Sequence, residues 1–390
     1  MWFRLAALPV ICLALAWPGA AGASTLSVQA VGKNNEVFYV AGPGEENSAT
    51  ASTDGAVVTV LDPGADIEAG PGCAPVSDHE ATCNHPGFAA VNFELRGGDD
   101  SARITGPMIF MTAEGGGGRD RLVGGQSVDR LDGGTGPDVL NGRGGFDQIS
   151  YPDRPDDLRV TLGDGERNDG GPMDGGLRDR LRSIETVIGG DGDDLLVGTG
   201  GENSLFAGAG RDVVRGKGGP DDLGGQSGRD RAFGGGGADL FPGDAGRDRH
   251  FGGKGADYFQ GGSIGNGADL FMGEGGQDTV DYNFGQTRVS LDGKPNDGRC
   301  ADPTCASSDE GDNARGIEVI RGTLAADVLI GSRRDEVFHP FPGADTVRAK
   351  GGSDIVQLAI DGVVDDVNCG LGIDDVLGTP DVFDTNKNCE

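Results

Sequence analysis

Aspartate returns at a fixed interval through this 390-residue chain, and carboxylates so placed are candidate ligands for a hard cation. The positions are Asp120, Asp129, Asp138 and Asp147; Asp194, Asn203, Asp212, Asp221, Asp230, Asp239, Asp248 and Asp257; and Asp269 and Asp278. A weaker set follows at Asp327, Glu336, Asp345 and Asp354. No sulfur or imidazole shares the phase, so the chemistry is that of oxygen ligands.

The interval belongs to a nine-residue unit. Its clearest copies are GGGGRDRLV from Gly115, GGTGPDVLN from Gly133, GGDGDDLLV from Gly189, GGGGADLFP from Gly234 and GGKGADYFQ from Gly252. Of 18 units, position six is Asp in 16, Asn in one and Glu in one. Position eight is apolar in 17, His250 being the exception, so the chain is periodic and not low-complexity disorder. The glycine half must turn tightly. The last three residues form a short strand whose middle side chain alone points inward. Two units make one coil of two strands and two turns, and stacked coils form two parallel sheets around a thin apolar core.

Stacking places aspartates 18 residues apart on the same edge of successive coils. Asp120 then meets Asp138, and Asp129 meets Asp147. Asp194, Asp212, Asp230 and Asp248 line one edge, while Asn203, Asp221, Asp239 and Asp257 line the other. At one strand spacing, about 4.8 Å, two carboxylates repel by roughly 3.5 kcal/mol at an effective dielectric near 20. A cation between coils reverses the sign. Carboxylate and carbonyl oxygens suit Ca²⁺, with several ions along the stack.

The nonapeptide resembles the RTX, or haemolysin-type calcium-binding, repeat. The resemblance implies an all-β parallel β-roll, a β-solenoid whose turns hold Ca²⁺ and which is disordered without it. The tail DGVVDDVNCGLGIDDV, with Asp365 and Asp374 in phase, resembles the C-terminal cap of secreted calcium-binding proteins of this kind. Several units depart from the pattern, as where Ser127 stands at position four.

Glycine numbers 75 and the formal charge is −31, which argues against a helical fold, nucleic-acid binding and any basic binding face. Residues 1–23 read as a signal peptide. Arg4 precedes an apolar run over 5–17 that is shorter than the ~20 residues a membrane span needs. Export to the extracellular space without membrane insertion follows. Outside that run, Cys73, Cys83, Cys300, Cys305, Cys369 and Cys389 form three local couples, Cys73–Cys83, Cys300–Cys305 and Cys369–Cys389, read as disulfides. A zinc site fits less well, since no CxxC exists and His79 and His85 flank one couple only.

The expected organisation is an N-terminal β-rich cap over 24–114 and repeat blocks at 115–150, 189–281 and 322–357. Spacers at 151–188 and 282–321 separate them, and a disulfide-stapled cap spans 358–390. Gly98-Asp99-Asp100 reads as a decayed turn leading into the array. The spacers resemble each other, with Val160-Thr161-Leu162 against Val289-Ser290-Leu291 and Ile184-Glu185 against Ile317-Glu318. Each is expected to be two strands continuing the sheets around an acidic loop, and Asp169, inside one, should matter less than Asp212 or Asp230.

Catalytic signals are weak. HEATC at His79 lacks the second histidine of a zincin, and GGSIG at Gly261 lacks the strand-to-helix context of a nucleophile elbow. His250 falls in a core slot, and the carboxylates are accounted for by calcium. The reading is a secreted, non-enzymatic calcium-binding repeat protein. The alternative is a cell-surface adhesin or matrix component using the stiffened roll as a scaffold.

Overall fold

Each nonapeptide puts a glycine-rich turn before a short strand with one inward side chain. In Val139–Asn141 only Leu140 is buried, and Arg130–Asp132 and Gln148–Ser150 repeat the pattern. Position-eight residues from Leu122 to Val356 form one continuous core, stacked in register, Leu122 on Leu140 and Leu205 on Leu223. The computed structural model describes residues 23–31, 34–84, 89–106, 109–152, 154–174, 178–261, 267–282, 285–300, 311–377 and 385–389. The expected signal peptide, save Ala23, lies outside them, as do His85 and Cys305.

The architecture is an all-β parallel roll. Apart from one short 3-10 turn, Pro172–Asp174, the described residues contain no helix. None, accordingly, is long and apolar enough to cross a membrane. One side of the roll is an 18-stranded sheet running from the N-terminal hairpin to Asp375–Leu377. The other side is three sheets of eight, seven and six strands. At the N-terminus Ser24–Val31 and Asn34–Val40 form an antiparallel hairpin, and Val57–Leu61 pairs antiparallel with Glu80–Asn84. Parallel coiling is established by Ala89–Glu94, Ser101–Thr105 and Ile109–Glu114. Disulfides join Cys73 to Cys83 and Cys369 to Cys389, and Cys300 is also disulfide-bonded.

Both spacers break the same side, in a crossing that periodicity does not predict. In the first, the earlier strand Arg159–Thr161 pairs forward with Leu195–Val197, and the later strand Arg180–Arg182 pairs back to Val139–Asn141. In the second, Thr287–Ser290 pairs forward and Asn313–Arg315 pairs back. One of these strands closes an old sheet and the other founds a new one, and each spacer holds more than the two strands expected, since Thr186–Ile188 and Val319–Arg321 continue the long sheet and Gly298–Arg299 pairs with Thr287–Ser290. A single aspartate pins each crossing: Thr161 N–H donates to Asp169 Oδ1 at 2.6 Å, and Ser290 N–H donates to Asp297 Oδ1 at 2.5 Å. Asp169 is fully buried, so its side chain is part of the spacer's packing.

Candidate metal centres

The position-six side chain sits where turn becomes strand, with its main chain facing the next coil. Its carboxylate closes the gap between coils. Asp120 N–H donates to Asp138 Oδ1 at 2.7 Å, and Asp129 N–H to Asp147 Oδ1 at 2.9 Å. The same bond links Asp194 to Asp212, Asp212 to Asp230 and Asp230 to Asp248 on one edge. On the other edge it links Asn203 to Asp221, Asp221 to Asp239 and Asp239 to Asp257. Across the insertion near Ser263 the spacing becomes 21, yet Asp248 still reaches Asp269 and Asp257 reaches Asp278. The late set keeps the pattern from Asp327 to Asp345 and from Glu336 to Asp354. All these acids and Asn203 are buried.

One oxygen is thus hydrogen-bonded. The other, Oδ2, is buried without a partner in Asp120, Asp138, Asp147, Asp212, Asp221, Asp230, Asp239, Asp248, Asp257, Asp278, Asp345 and Asp354. It points back at position one of its own unit. A Cβ on Gly216 would stand 2.1 Å from Asp221 Oδ2, and one on Gly234 would stand 2.1 Å from Asp239 Oδ2. Alanine occupies that position before Asp212 and Asp354, as Ala207 and Ala349, and proline before Asp345, as Pro340, so the fit is close but not absolute. Position four approaches the preceding coil just as tightly: Gly136, at φ +126°, would put a Cβ 1.7 Å from the Gly118 carbonyl oxygen.

Position two divides the turns into two kinds. In the open kind it has positive φ: +95° at Gly116 and +115° at Gly208, but also +79° at Lys217, +71° at Gln226 and +73° at Glu274. The unpaired Oδ2 atoms of Asp120, Asp212, Asp221, Asp230 and Asp278 belong to these turns. In the closed kind position two lies outside that region and donates its N–H to the carboxylate. Gly125 donates to Asp129 Oδ2 at 2.6 Å, Gly190 to Asp194 Oδ2 at 3.1 Å and Thr323 to Asp327 Oδ2 at 2.6 Å. Thr199 N–H to Asn203 Oδ1 (2.7 Å) and Ser332 N–H to Glu336 Oε2 (3.3 Å) complete the class. Asp248 falls between, with its Oδ2 unpaired but Asp244, at position two, outside the positive-φ region.

Burial pushes these carboxyls up. Asp138, Asp212 and Asp345 rise to about 8, and Asp120, Asp147, Asp221 and Asp354 to about 7. Asp129, Asp194, Asp230, Asp239 and Asp278 rise to about 6. Asp248, Asp257 and Asp269 also rise. Accepted main-chain N–H bonds pull the other way, and neighbouring acids in the column push up again, as Asp230 and Asp194 do on Asp212. A bare column therefore favours protonated acids, and a divalent cation beside Oδ2 would favour the charged form. The hard oxygen set fits Ca²⁺. Among the described residues no three His, Cys, Asp or Glu side chains converge on one point, so an ion here draws further ligands from turn carbonyls.

The columns extend beyond the clear repeats. Asp100 accepts from Asn47 N–H at 2.7 Å, and its own N–H reaches Asp120 Oδ1 at 2.9 Å, so the decayed turn is a working rung. Asp179 and Asp312 replace the missing partners of Asp138 and Asp269, and Glu185 and Glu318 those of Asp147 and Asp278. Each stands two residues before a buried core side chain, a phase readable in the sequence once Glu is admitted at position six. Asp365 and Asp374 accept from Asp345 and Asp354. His250 is buried between Phe241 and Phe271, ring centroids 5.4 and 5.5 Å away, and burial lowers it to about 4.

No curated protein matches the chain. The family profile described as RTX calcium-binding nonapeptide repeat (4 copies) matches residues 114–149, 188–223, 224–259 and 265–288. Repeats of this family bind Ca²⁺ at multiple sites, and this chain carries them.

Proposed function

We infer that this is an exported, non-catalytic protein whose roll is ordered by Ca²⁺ held between coils. The observation that carries the reading is the row of buried, unpaired Oδ2 atoms beside glycine turns. The proposed ligands are Asp120, Asp129, Asp138, Asp147, Asp194, Asn203, Asp212, Asp221, Asp230, Asp239, Asp248, Asp257, Asp269 and Asp278, strongest where the turn is open. Metal-binding energy then acts as folding energy. The apolar segment over 5–17 and the oxidised cysteines support export, and the net charge of −31 weighs against nucleic acid as a partner. The blocks set out from the sequence are proposed as the organisation, with the roll beginning at the Asp100 rung.

The test is circular dichroism of the chain from residue 24 during a Ca²⁺ titration, with Mg²⁺ as control. Cooperative gain of β signal at about 0.1–1 mM Ca²⁺, the range of extracellular modules, is expected. An unchanged spectrum and melting temperature after chelation would sink the reading.

A further inference from the structure

The first strand of the N-terminal cap begins at Ser24, the residue that follows the small-residue cleavage signal Ala21-Gly22-Ala23. Ser24 is fully buried. It pairs in parallel with Ile67, and its N–H donates to the Asp66 carbonyl at 3.1 Å. Its hydroxyl donates to Glu45 Oε2 at 2.9 Å and lies 3.1 Å from Asn47 Oδ1. The Tyr39 hydroxyl, 2.9 Å from Ser24 Oγ, donates to Asp62 Oδ2. Asp62 is fully buried too, and its Oδ1 accepts from the N–H groups of Ser48 and Gly64, both at 2.9 Å. Asn47 carries this network into the roll, because its N–H donates to Asp100 Oδ1, the first rung, at 2.7 Å.

The cluster is negative and has no base. Among the described residues no Lys, Arg or His forms an ion pair with Glu45 or Asp62. The His79 ring turns instead to Asp66 Oδ1 at 3.5 Å and the Ala65 carbonyl at 2.9 Å. Residues 24–95 hold ten Asp and Glu, no Arg and a single Lys. That Lys33 lies outside the described residues, beyond the Val31 end of the strand that Ser24 begins. Buried carboxylates are costly without a positive partner.

We infer that the partner is the α-ammonium of Ser24, created when the leader is removed. Hydrolysis of the Ala23–Ser24 peptide bond takes up one water and leaves a carboxylate on Ala23 and an ammonium on Ser24. An ammonium has three donors where the peptide nitrogen has one. One keeps the Asp66 carbonyl, and the others serve the carboxylates that the Ser24 and Tyr39 hydroxyls already touch. Since Ser24 is buried in the folded cap, the cut precedes folding, and an uncut chain places a neutral amide in the cluster. Leader removal is thereby a step in setting the cap and, through Asn47 and Asp100, the start of the roll. The inference rests on the export reading.

Mass spectrometry of the exported protein reads its first residue, and Ser24 is expected. The calcium-loaded chain from Ser24 is then treated with an amine-acylating reagent, and its N-terminal peptide is quantified. Neighbouring carboxylates hold the amine charged and unreactive, so acylation about tenfold slower than in the free peptide Ser24–Val31 is expected. Glu45→Gln, with its fold verified by circular dichroism, should restore much of the rate. Hydrogen exchange over 24–114 should be faster in a chain that retains Ala23, and in one acetylated on the Ser24 nitrogen, than in the free-amine form. An exported chain that starts elsewhere overturns the inference. So does an amine that reacts as fast as the peptide, or equal exchange in all three forms, as a metal ion in the cluster would give. A chain that is not exported sinks the export reading and the inference together, whereas a reactive amine on a Ser24 start sinks the inference alone.

Discussion

The turn at Lys217 and the turn at Thr323 carry the same carboxylate on the same kind of strand, but they are finished differently. Lys217 holds φ +79° and leaves Asp221 Oδ2 unpaired, whereas Thr323 turns its N–H onto Asp327 Oδ2. A non-glycine residue in the left-handed region costs roughly 1–2 kcal/mol. Arg96, Arg143, Lys217, Gln226, Glu274, Phe341 and Lys350 all sit there, each at position two. Such strain persists where something over-determines it. A closed turn satisfies its own carboxylate, and an open turn leaves the oxygen for an ion, with strain wherever position two is not glycine.

The largest test of this contrast sets Asp230→Ala against Asp327→Ala. Removing Asp230 takes a ligand from two adjacent coils, so the calcium midpoint should rise about tenfold and the loaded roll lose about 3 kcal/mol. Removing Asp327 should cost about 1–2 kcal/mol, the worth of its hydrogen bonds, with the midpoint unmoved. Equal shifts in both titrations would erase the distinction. Next comes pH. Asp138, Asp212 and Asp345 rise to about 8 in the folded chain from an ordinary value near 4, so the folded state binds more protons between those limits. In chelator, stability is greatest below about pH 4 and is lost as pH rises through about 8. Thermal melts across that range should fall steadily, and added Ca²⁺ should reverse the trend. The smallest effect concerns backbone strain. Lys217→Gly and Gln226→Gly should each stabilise the loaded protein by about 1 kcal/mol, and Thr323→Gly should destabilise it by about as much. Denaturant melts giving all three the same sign would show that φ at position two is not what separates the turns.

The period, the core and the axial alignment of the acids were legible because each rests on one residue at one phase: Leu140 behind Asp138, Phe259 behind Asp257. The bond from each rung's N–H to the next carboxylate was not, since it depends on main-chain direction. Nor was the kind of turn, because Lys217 and Thr199 both occupy position two, a slot that glycine fills in eight of the 18 units, yet take opposite conformations. Pattern alone gave two strands per spacer, fewer than the structure has, and nothing of their crossing, which follows from where Asp169 and Asp297 anchor the loops.

The interrupted side of the roll has a mechanical meaning. Along most of the axis two parallel ladders share any tension, but at each crossing only the long sheet continues in parallel, by Gln148–Ser150 to Thr186–Ile188 and by Thr279–Tyr282 to Val319–Arg321, while the other side is joined only by short antiparallel bridges, Asp169 to Asp179 and Asp297 to Asp312. A molecule pulled from its ends would part at those two seams first and come away as three intact segments rather than unravel coil by coil.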